Sequence, residues 1–172
     1  MSVIFKRKSV REYRNEPLKK EEIETIIKAA VSGPSCVNSK DWSFIVVTDK
    51  DILNKMADAN GKYANPLRSA ALGVLICGDY EKAFNFAKDY WVIDGAIAGE
   101  NMIIAATELG IGSVWLGTWP QEDRVEAQKK LFNLPDSQIP HSIIVFGYPK
   151  NPDDLKDERK EFDMSAVHYN KW

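Results

Sequence analysis

The stretch that decides the fold is residues 94–117, which read DGAIAGENMIIAATELGIGSVWLG. Over residues 91–109 apolar side chains cover most of a helical circumference, a pattern typical of a helix buried on most sides. Charged residues such as Glu100 interrupt this run too often for a membrane span. Gly110 then predicts the end of the helix, and residues 112–117 read as a short strand that reaches the interior. We therefore predict a central helix that leads directly into a strand.

Small residues recur along this predicted helix. They are Gly95, Ala96, Ala98, Gly99 and Ala105. Because such residues lack bulk, another backbone can approach the helix closely at their positions. A second copy of the same helix is one candidate for that neighbour.

Length, charge and cysteine content limit the classes of protein to consider. A chain of 172 residues, 44% hydrophobic, is long enough for one domain, residues 1–172, with a sizeable core. The net charge of −2 gives no support for binding to nucleic acid or to a membrane surface. Cys36 and Cys77 lie in unlike contexts and suggest no disulfide framework. With no signal peptide evident at the N-terminus, we expect a cytoplasmic protein.

The rest of the chain alternates between helical and strand patterns. We predict helices over residues 18–31, 49–59 and 120–132, and strands over residues 42–48, 70–78, 112–117 and 140–147. Asp49 is the expected N-cap of the second of these helices, with Gly61 as its stop, and residues 62–66 read as a loop. This alternation favours an α+β or α/β layered domain. The charged tail ends in apolar and aromatic residues, and we expect it to dock on a partner subunit.

Few side chains offer catalytic chemistry by themselves. Arg7 and Arg11 could donate paired hydrogen bonds to a phosphate, although a solvated basic turn is the simpler interpretation of this run alone. Ser35 and Asn38 could bond a planar polar ligand, but they also suit ordinary turns. A metal site is improbable with two histidines, and no nucleophile elbow, Walker loop or dinucleotide fingerprint occurs. The pattern indicates that a bound organic cofactor carries the chemistry.

Four segments together resemble the FMN-dependent nitroreductase family. RKSVR at residues 7–11 is similar to the family's phosphate motif R-R-S-x-R, and PSCVNSKDW at residues 34–42 is similar to P-S-x-x-N-x-Q-P-W. Residues 94–117 resemble the family's central dimer helix and the strand that follows it. Residues 159–172 resemble its C-terminal arm, which ends in Lys-Trp. The four segments occur in the family's order and span nearly the whole chain.

The resemblance implies a fold and an activity. The implied fold is α+β with three layers: a mostly antiparallel sheet flanked by helices, a long central dimer helix, and an arm over residues 151–172 exchanged within a homodimer. The implied activity is that of an FMN oxidoreductase in which NADH or NADPH reduces the flavin, and an electron-poor acceptor (nitroaromatic, quinone or flavin) then takes the electrons in a ping-pong reaction. Two alternatives remain open: an FMN store or redox partner without turnover, and another flavin chemistry such as dehalogenation or ene reduction.

The resemblance also implies which residues bind FMN. Those expected at the phosphate and ribityl chain are Arg7, Lys8, Ser9, Arg11 and Arg159. Those expected to come from the other subunit and line the edge and face of the flavin are Pro34, Ser35, Cys36 and Asn38. Those expected around the ring system on the first subunit are Asn65 and Arg68 at its pyrimidine side and the backbone of Leu116 and Gly117 near N5.

The chain departs from the family pattern in two places that bear on this site. Lys40 and Asp41 stand where the family usually has Gln-Pro, which changes both the charge and the stiffness of the loop. Asp157 stands where a second basic residue often precedes the arginine of the arm, so the phosphate contacts would depend more on Arg7 and Arg11.

Overall fold

Helices and strands alternate through the computed structural model, which describes residues 2–172. The helices are α1 (Ser2–Lys6), α2 (Lys20–Val31), α3 (Lys50–Asn60), α4 (Pro66–Ser69), α5 (Tyr90–Glu108) and α6 (Glu122–Phe132). The strands are β1 (Trp42–Val47), β2 (Leu72–Asp79), β3 (Gly112–Gly117) and β4 (Gln138–Gly147). Within the described residues, no helix combines the length and the apolar character that crossing a membrane requires.

The four strands form one antiparallel sheet in the order β1-β2-β4-β3. Alternate residues of the central strands enter two separate cores, as the period of two along a strand requires. Leu75 and Ile143 pack with α3 and the neighbouring α4, whereas Ile76 and Ile144 pack with α2 and α5. The predicted three-layer α+β fold with an antiparallel sheet is confirmed.

Helix α5 crosses one face of the sheet and is buried along most of its length. The space beside its glycines is filled by rings of the same chain: a Cβ added to Gly99 would collide with Trp115, and one added to Gly95 would lie 3.2 Å from the His141 ring. Ala98 is also fully buried, against the sheet. The prediction that these small residues admit a second backbone is therefore wrong for all three.

The outward face of α5 carries a different set of residues. Ile93 is half-exposed and Ala96 is exposed, while Glu100 lies on the same side one turn further along. The short helix α1 packs beside α5 and leaves Ile4 and Phe5 partly exposed. An apolar surface thus continues from α5 onto α1.

Several local signals act as the sequence predicts. The Asp49 carboxylate accepts a hydrogen bond from the Ile52 backbone N–H at 3.0 Å and so caps α3. Gly61 and Gly110 take the positive φ values, +82° and +73°, that end the helices before them. Residues 62–66, predicted as a loop, instead contain a 3₁₀ turn and the start of α4, because Pro66 occupies a first-turn position that suits its fixed φ.

The tail packs on the body only at its beginning. Leu155 is partly buried against the core and lines a cavity with Arg14 and Pro149, whereas residues 156–172 are exposed. Phe162 contacts Phe5 edge to face at 5.4 Å between ring centroids, and Trp172 is fully exposed. The end of the tail therefore presents apolar side chains that its own subunit does not cover.

The two glycines of α5 give a prediction about stability. We expect Gly99→Ala to lower the free energy of unfolding by about 1–3 kcal/mol, because its methyl group overpacks against Trp115. Gly95→Ala is the matched control, since it has the same helix-propensity gain and a looser contact. Urea unfolding followed by circular dichroism measures both. Equal stabilities of the two variants would contradict the packing described for Trp115.

Candidate functional site

A cavity of about 570 Å³ lies between the N-terminal segment, the turn before α4 and the outer strand β3. Its walls are formed by Arg11, Glu12, Lys62, Tyr63, Asn65, Pro66, Val114, Trp115 and Leu116. Three of the predicted site residues, Arg11, Asn65 and Leu116, therefore meet in one place. The volume is within the range of small-molecule and cofactor sites, about 300–1,000 Å³.

The N-terminal segment reaches this cavity because it lies alongside β3. The Val10 backbone N–H donates to Ser113 O at 2.8 Å, and Ser9 forms a parallel bridge with Ser113. Gly112 permits this approach, since a Cβ there would lie 2.8 Å from Val10. Val10 is buried while Arg11 is exposed, so the arginine side chain is free to face a ligand.

The basic residues before Arg11 lie near the beginning of the tail. Lys8 forms an ion pair with Asp154 at 3.5 Å, and the Arg159 backbone N–H donates to Phe5 O at 2.8 Å. Burial raises the pKa of Glu100 on α5, and the charge of nearby Arg7 opposes that shift. Arg7, Lys8 and Arg159 are thus held around α1, at the end of the N-terminal segment that leads to the cavity.

A second cavity, of about 400 Å³, continues along the same segment. Its walls include Ser9, Arg11, Asn151 and Asp154. Arg11 and Glu12 line both cavities, so the two adjoin at the N-terminal segment. Ser9 thus lies in the cavity next to the one that Asn65 and Leu116 line.

The turn before α4 supplies Asn65 and orients Arg68. The guanidinium of Arg68 pairs with Asp58 of α3 at 2.6 Å, and its Nε donates to Asn65 Oδ1 at 3.4 Å. Asn65 lines the cavity, whereas Arg68 lies behind it. Arg68 thus acts on the cavity through Asn65, and its charge is partly balanced by Asp58.

The end of β3 is fixed by residues that the sequence did not indicate. The carbonyl oxygen of Gly117 accepts hydrogen bonds from Asn60 Nδ2 at 3.2 Å and from Arg124 at 2.9 Å. Buried Asn60 also accepts from the Thr118 hydroxyl at 2.8 Å. These bonds hold the backbone of Leu116 and Gly117 in place at the edge of the cavity.

Trp115 is one of several residues around the cavity that the sequence did not indicate, with Glu12, Lys62, Pro66 and Val114. Its ring lies over Gly99 and makes an edge contact with His141 at 5.9 Å. Burial lowers the pKa of His141 to about 4, so this imidazole is neutral at ordinary pH. Its Nδ1 is 2.9 Å from the Ser142 hydroxyl. Trp115 stands in the quoted stretch 94–117, but no local pattern distinguishes a cavity wall from a core tryptophan.

The loop over residues 34–40 lies elsewhere on the subunit, against α5. The Cys36 backbone N–H donates to Asp94 Oδ2 at 2.8 Å, and the Lys40 N–H donates to the Ser35 hydroxyl at 2.9 Å. Val37, Asn38 and Lys40 all adopt positive φ, an uncommon conformation for non-glycine residues. No residue of this loop lines the cavity in the chain as described, so Pro34, Ser35, Cys36 and Asn38 are not brought together with Arg11 within one subunit.

Comparison with known proteins identifies the family. The sequence profile of the Nitroreductase family matches residues 4–75 and 62–148. A protein from Archaeoglobus fulgidus, provisionally named an NADH dehydrogenase/NAD(P)H nitroreductase, is 37% identical over 172 residues, which is 100% of this chain and 98% of that protein.

Solved structures agree with that assignment. A protein from Clostridium acetobutylicum, provisionally named an NADH oxidase, has a TM-score of 0.92 at 36% identity, with 99% of both chains covered. An FMN-dependent nitroreductase from Clostridium difficile has a TM-score of 0.90 at 28% identity, again with 99% of both chains covered. The chain therefore belongs to the Nitroreductase family.

Proposed function

We propose that this protein is an NAD(P)H-dependent FMN oxidoreductase that acts as a homodimer, with FMN bound in the cavity beside β3. The observation that carries the proposal is the convergence of Arg11, Asn65 and the end of β3 on one cavity of about 570 Å³. Family membership and relatives named as NAD(P)H nitroreductase and FMN reductase support it.

The donors along the cavity suit the parts of FMN. Arg11 carries a forked set of charged donors for a phosphate, with Ser9 beside it in the adjoining cavity. Asn65 offers an amide that can both donate to and accept from the pyrimidine edge of a flavin. Tyr63 adds an aromatic residue to the same walls. The residues present therefore fit the cofactor that the family implies.

Bound FMN would supply the redox chemistry, taking a hydride from NADH or NADPH and then reducing an electron-poor acceptor such as a nitroaromatic, a quinone or a flavin in a ping-pong sequence. The protein's part is to bind and orient. Leu116 and Gly117 provide backbone at the cavity edge, fixed by Asn60 and Arg124. Asn65 would place hydrogen-bonding groups at the side where the pyrimidine ring is expected, and Arg68 behind it orients that amide.

The dimer would complete the site. The loop over residues 34–40 lies outside the cavity of its own subunit and would reach the cavity of the second. The apolar face formed by α5 and α1, with Ile93 and Ile4 both about half-exposed, offers the surface for that contact. The uncovered apolar residues at the end of the tail would dock on the second subunit and enlarge the interface.

The first test is direct observation of the cofactor and its reduction. We expect the purified protein to bind added FMN and the bound flavin to lose its yellow colour when NADH or NADPH is added anaerobically. A protein that binds no FMN would contradict the proposal. A flavin that stays oxidised would favour a storage protein, and a panel of nitroaromatic, quinone and ene acceptors then separates the possible reactions.

The phosphate contact gives a second prediction. We expect Arg11→Ala to weaken FMN binding by about 1.5–3 kcal/mol, because a charged hydrogen bond is lost. The matched control is Arg14→Ala in the same segment, where the arginine pairs with Glu16 at 3.3 Å and stacks on Tyr148 instead. Quenching of FMN fluorescence measures both dissociation constants. Equal affinities for the two variants would refute the role given to Arg11.

Removal of the tail gives a third prediction. We expect deletion of residues 164–172 to weaken the dimer, since it removes Met164, Val167, Tyr169 and Trp172 from the interface. Sedimentation velocity over a dilution series measures the dimer dissociation constant. Val46→Ser, which changes a partly exposed apolar residue of β1, controls for loss of apolar surface in general. An unchanged dissociation constant after deletion would contradict an exchanged arm.

A further inference from the structure

Unpaired polar atoms are concentrated at one place in the protein, beneath the loop over residues 34–40. Among the described residues, four buried side-chain oxygens lack a hydrogen-bond partner, and three of them are Ser39 Oγ and both carboxylate oxygens of Asp41. Asp41 is fully buried, and Asp94 is 2% exposed. An isolated buried carboxylate is costly, so this arrangement requires a physical explanation.

Asp94 provides it. The side chains of Asp41 and Asp94 are neighbours in hydrogen-bonding contact, while the Asp41 N–H and the Ser39 hydroxyl favour the ionised form of Asp41 more weakly. Two ionised carboxylates have no proton to share between them. One proton held by the pair supplies the missing donor: protonated Asp41 can donate to Asp94 while Asp94 accepts from the Cys36 N–H at 2.8 Å. One oxygen of Asp41 is thereby paired, the neighbouring Ser39 hydroxyl is placed to donate to the other, and the loop is joined to α5.

The surrounding groups leave the pair without a compensating cation. Cys36, whose thiol pKa is raised by burial and by both carboxylates, faces the pair from the loop. Asp79, whose N–H donates to Asp41 O at 2.8 Å, directs its own carboxylate to Lys82 at 3.0 Å. His141 packs against Gly95 and is neutral. No lysine or arginine of the described chain forms an ion pair with Asp41 or Asp94, so no cation in direct contact offsets the repulsion between two ionised carboxylates.

We propose that Asp41 and Asp94 form a proton-sharing carboxyl pair that positions the loop over residues 34–40, so that loss of the shared proton loosens the loop and weakens cofactor binding in the second subunit. This role rests on the proposed function, in which that loop contacts FMN. Asp41 is a positioning residue, since it acts through the loop and lines no part of the cavity. The family usually has Gln-Pro at the positions of Lys40 and Asp41. Neither of those residues is ionisable, so they could not share a proton with Asp94.

The direction of the pH dependence follows from where the proton binds. Burial first, and the neighbouring Asp94 second, raise the pKa of Asp41 to about 6 in the folded protein. The folded state thus binds a proton that the unfolded state releases near pH 4, and this stabilisation is complete below about pH 4 and lost as the pH rises through about 6. Between pH 5 and 7.5 the linkage raises the unfolding equilibrium constant about tenfold.

The first arm of the test does not involve FMN. Urea unfolding of the full-length, FMN-free chain is followed by circular dichroism between pH 5 and 7.5 for the wild type, Asp41→Asn and Asp51→Asn. Asparagine at position 41 has nearly the shape of the aspartic acid and always carries an N–H donor for Asp94. Asp51→Asn is the matched control, because it removes the carboxylate of an exposed aspartate. We expect the unfolding constant of the wild type to rise about tenfold across this range relative to that of Asp41→Asn, because only the wild type loses a stabilising proton. If the ratio of the wild-type and Asp41→Asn unfolding constants did not vary with pH, the proposal of a shared proton would be overturned.

The second arm measures the FMN dissociation constant of the same proteins over the same pH range. The phosphate of FMN itself titrates near pH 6, so only the ratio between variants at each pH is informative. We expect wild-type affinity relative to Asp41→Asn to fall by up to about tenfold as the pH rises, with Asp51→Asn following the wild type. A ratio that does not vary with pH would overturn the positioning role even if the unfolding data reveal the pair.

The variant Asp94→Asn tests the same pair independently, in case Asp41→Asn does not fold. It leaves Asp41 beside a neutral amide, so the pKa of Asp41 should fall and the pH dependence of both unfolding and FMN affinity should move to lower pH. An unmoved profile would contradict the pair. A wild-type protein that binds no FMN at any pH would instead refute the proposed function, and with it the role of the loop, while the unfolding data would still report on the proton itself.

Discussion

Contact between aromatic rings and glycine backbone holds the central helix to the sheet, and the position of the candidate site depends on it. Trp91 fills the space above Gly78 of β2, and Trp115 of β3 fills the space beside Gly99 of α5. Interiors are packed as densely as organic crystals, so a ring in such a place fixes the separation of the two elements. Because Trp115 belongs to β3, the strand that borders the cavity, this packing sets where that strand lies relative to α5.

The sequence predicts the elements well where the signal is local. The apolar run of α5, the glycine that ends it and the cap at Asp49 each act within a few residues, and the structure contains them all. The acidic start of α6 is equally local. Patterns of this kind need no knowledge of the neighbouring elements.

The sequence fails where a residue's role depends on a distant neighbour. Small residues in a helix show that something approaches closely, but not what, and at Gly95 and Gly99 it is a ring of the same chain. Asn60 is an ordinary polar residue at the end of a helix until Gly117 and Thr118 come beside it. Asp41 in a polar loop suggests exposure, yet it is fully buried against α5. In each of these cases the role of the residue is determined by its tertiary contacts alone.

The N-terminal segment has a consequence for the order in which the protein is built. Its residues join the structure through Ser113 of β3 and through Tyr148 and Pro149 after β4, more than a hundred positions later in the chain. Contacts between residues so far apart in sequence close late in folding, because their loop entropy must be overcome first. During synthesis, residues 9–14 therefore wait unpaired until Pro149 has been made. The cavity that includes Arg11 cannot guide early folding, and any ligand it binds can select only molecules whose four-stranded sheet has formed.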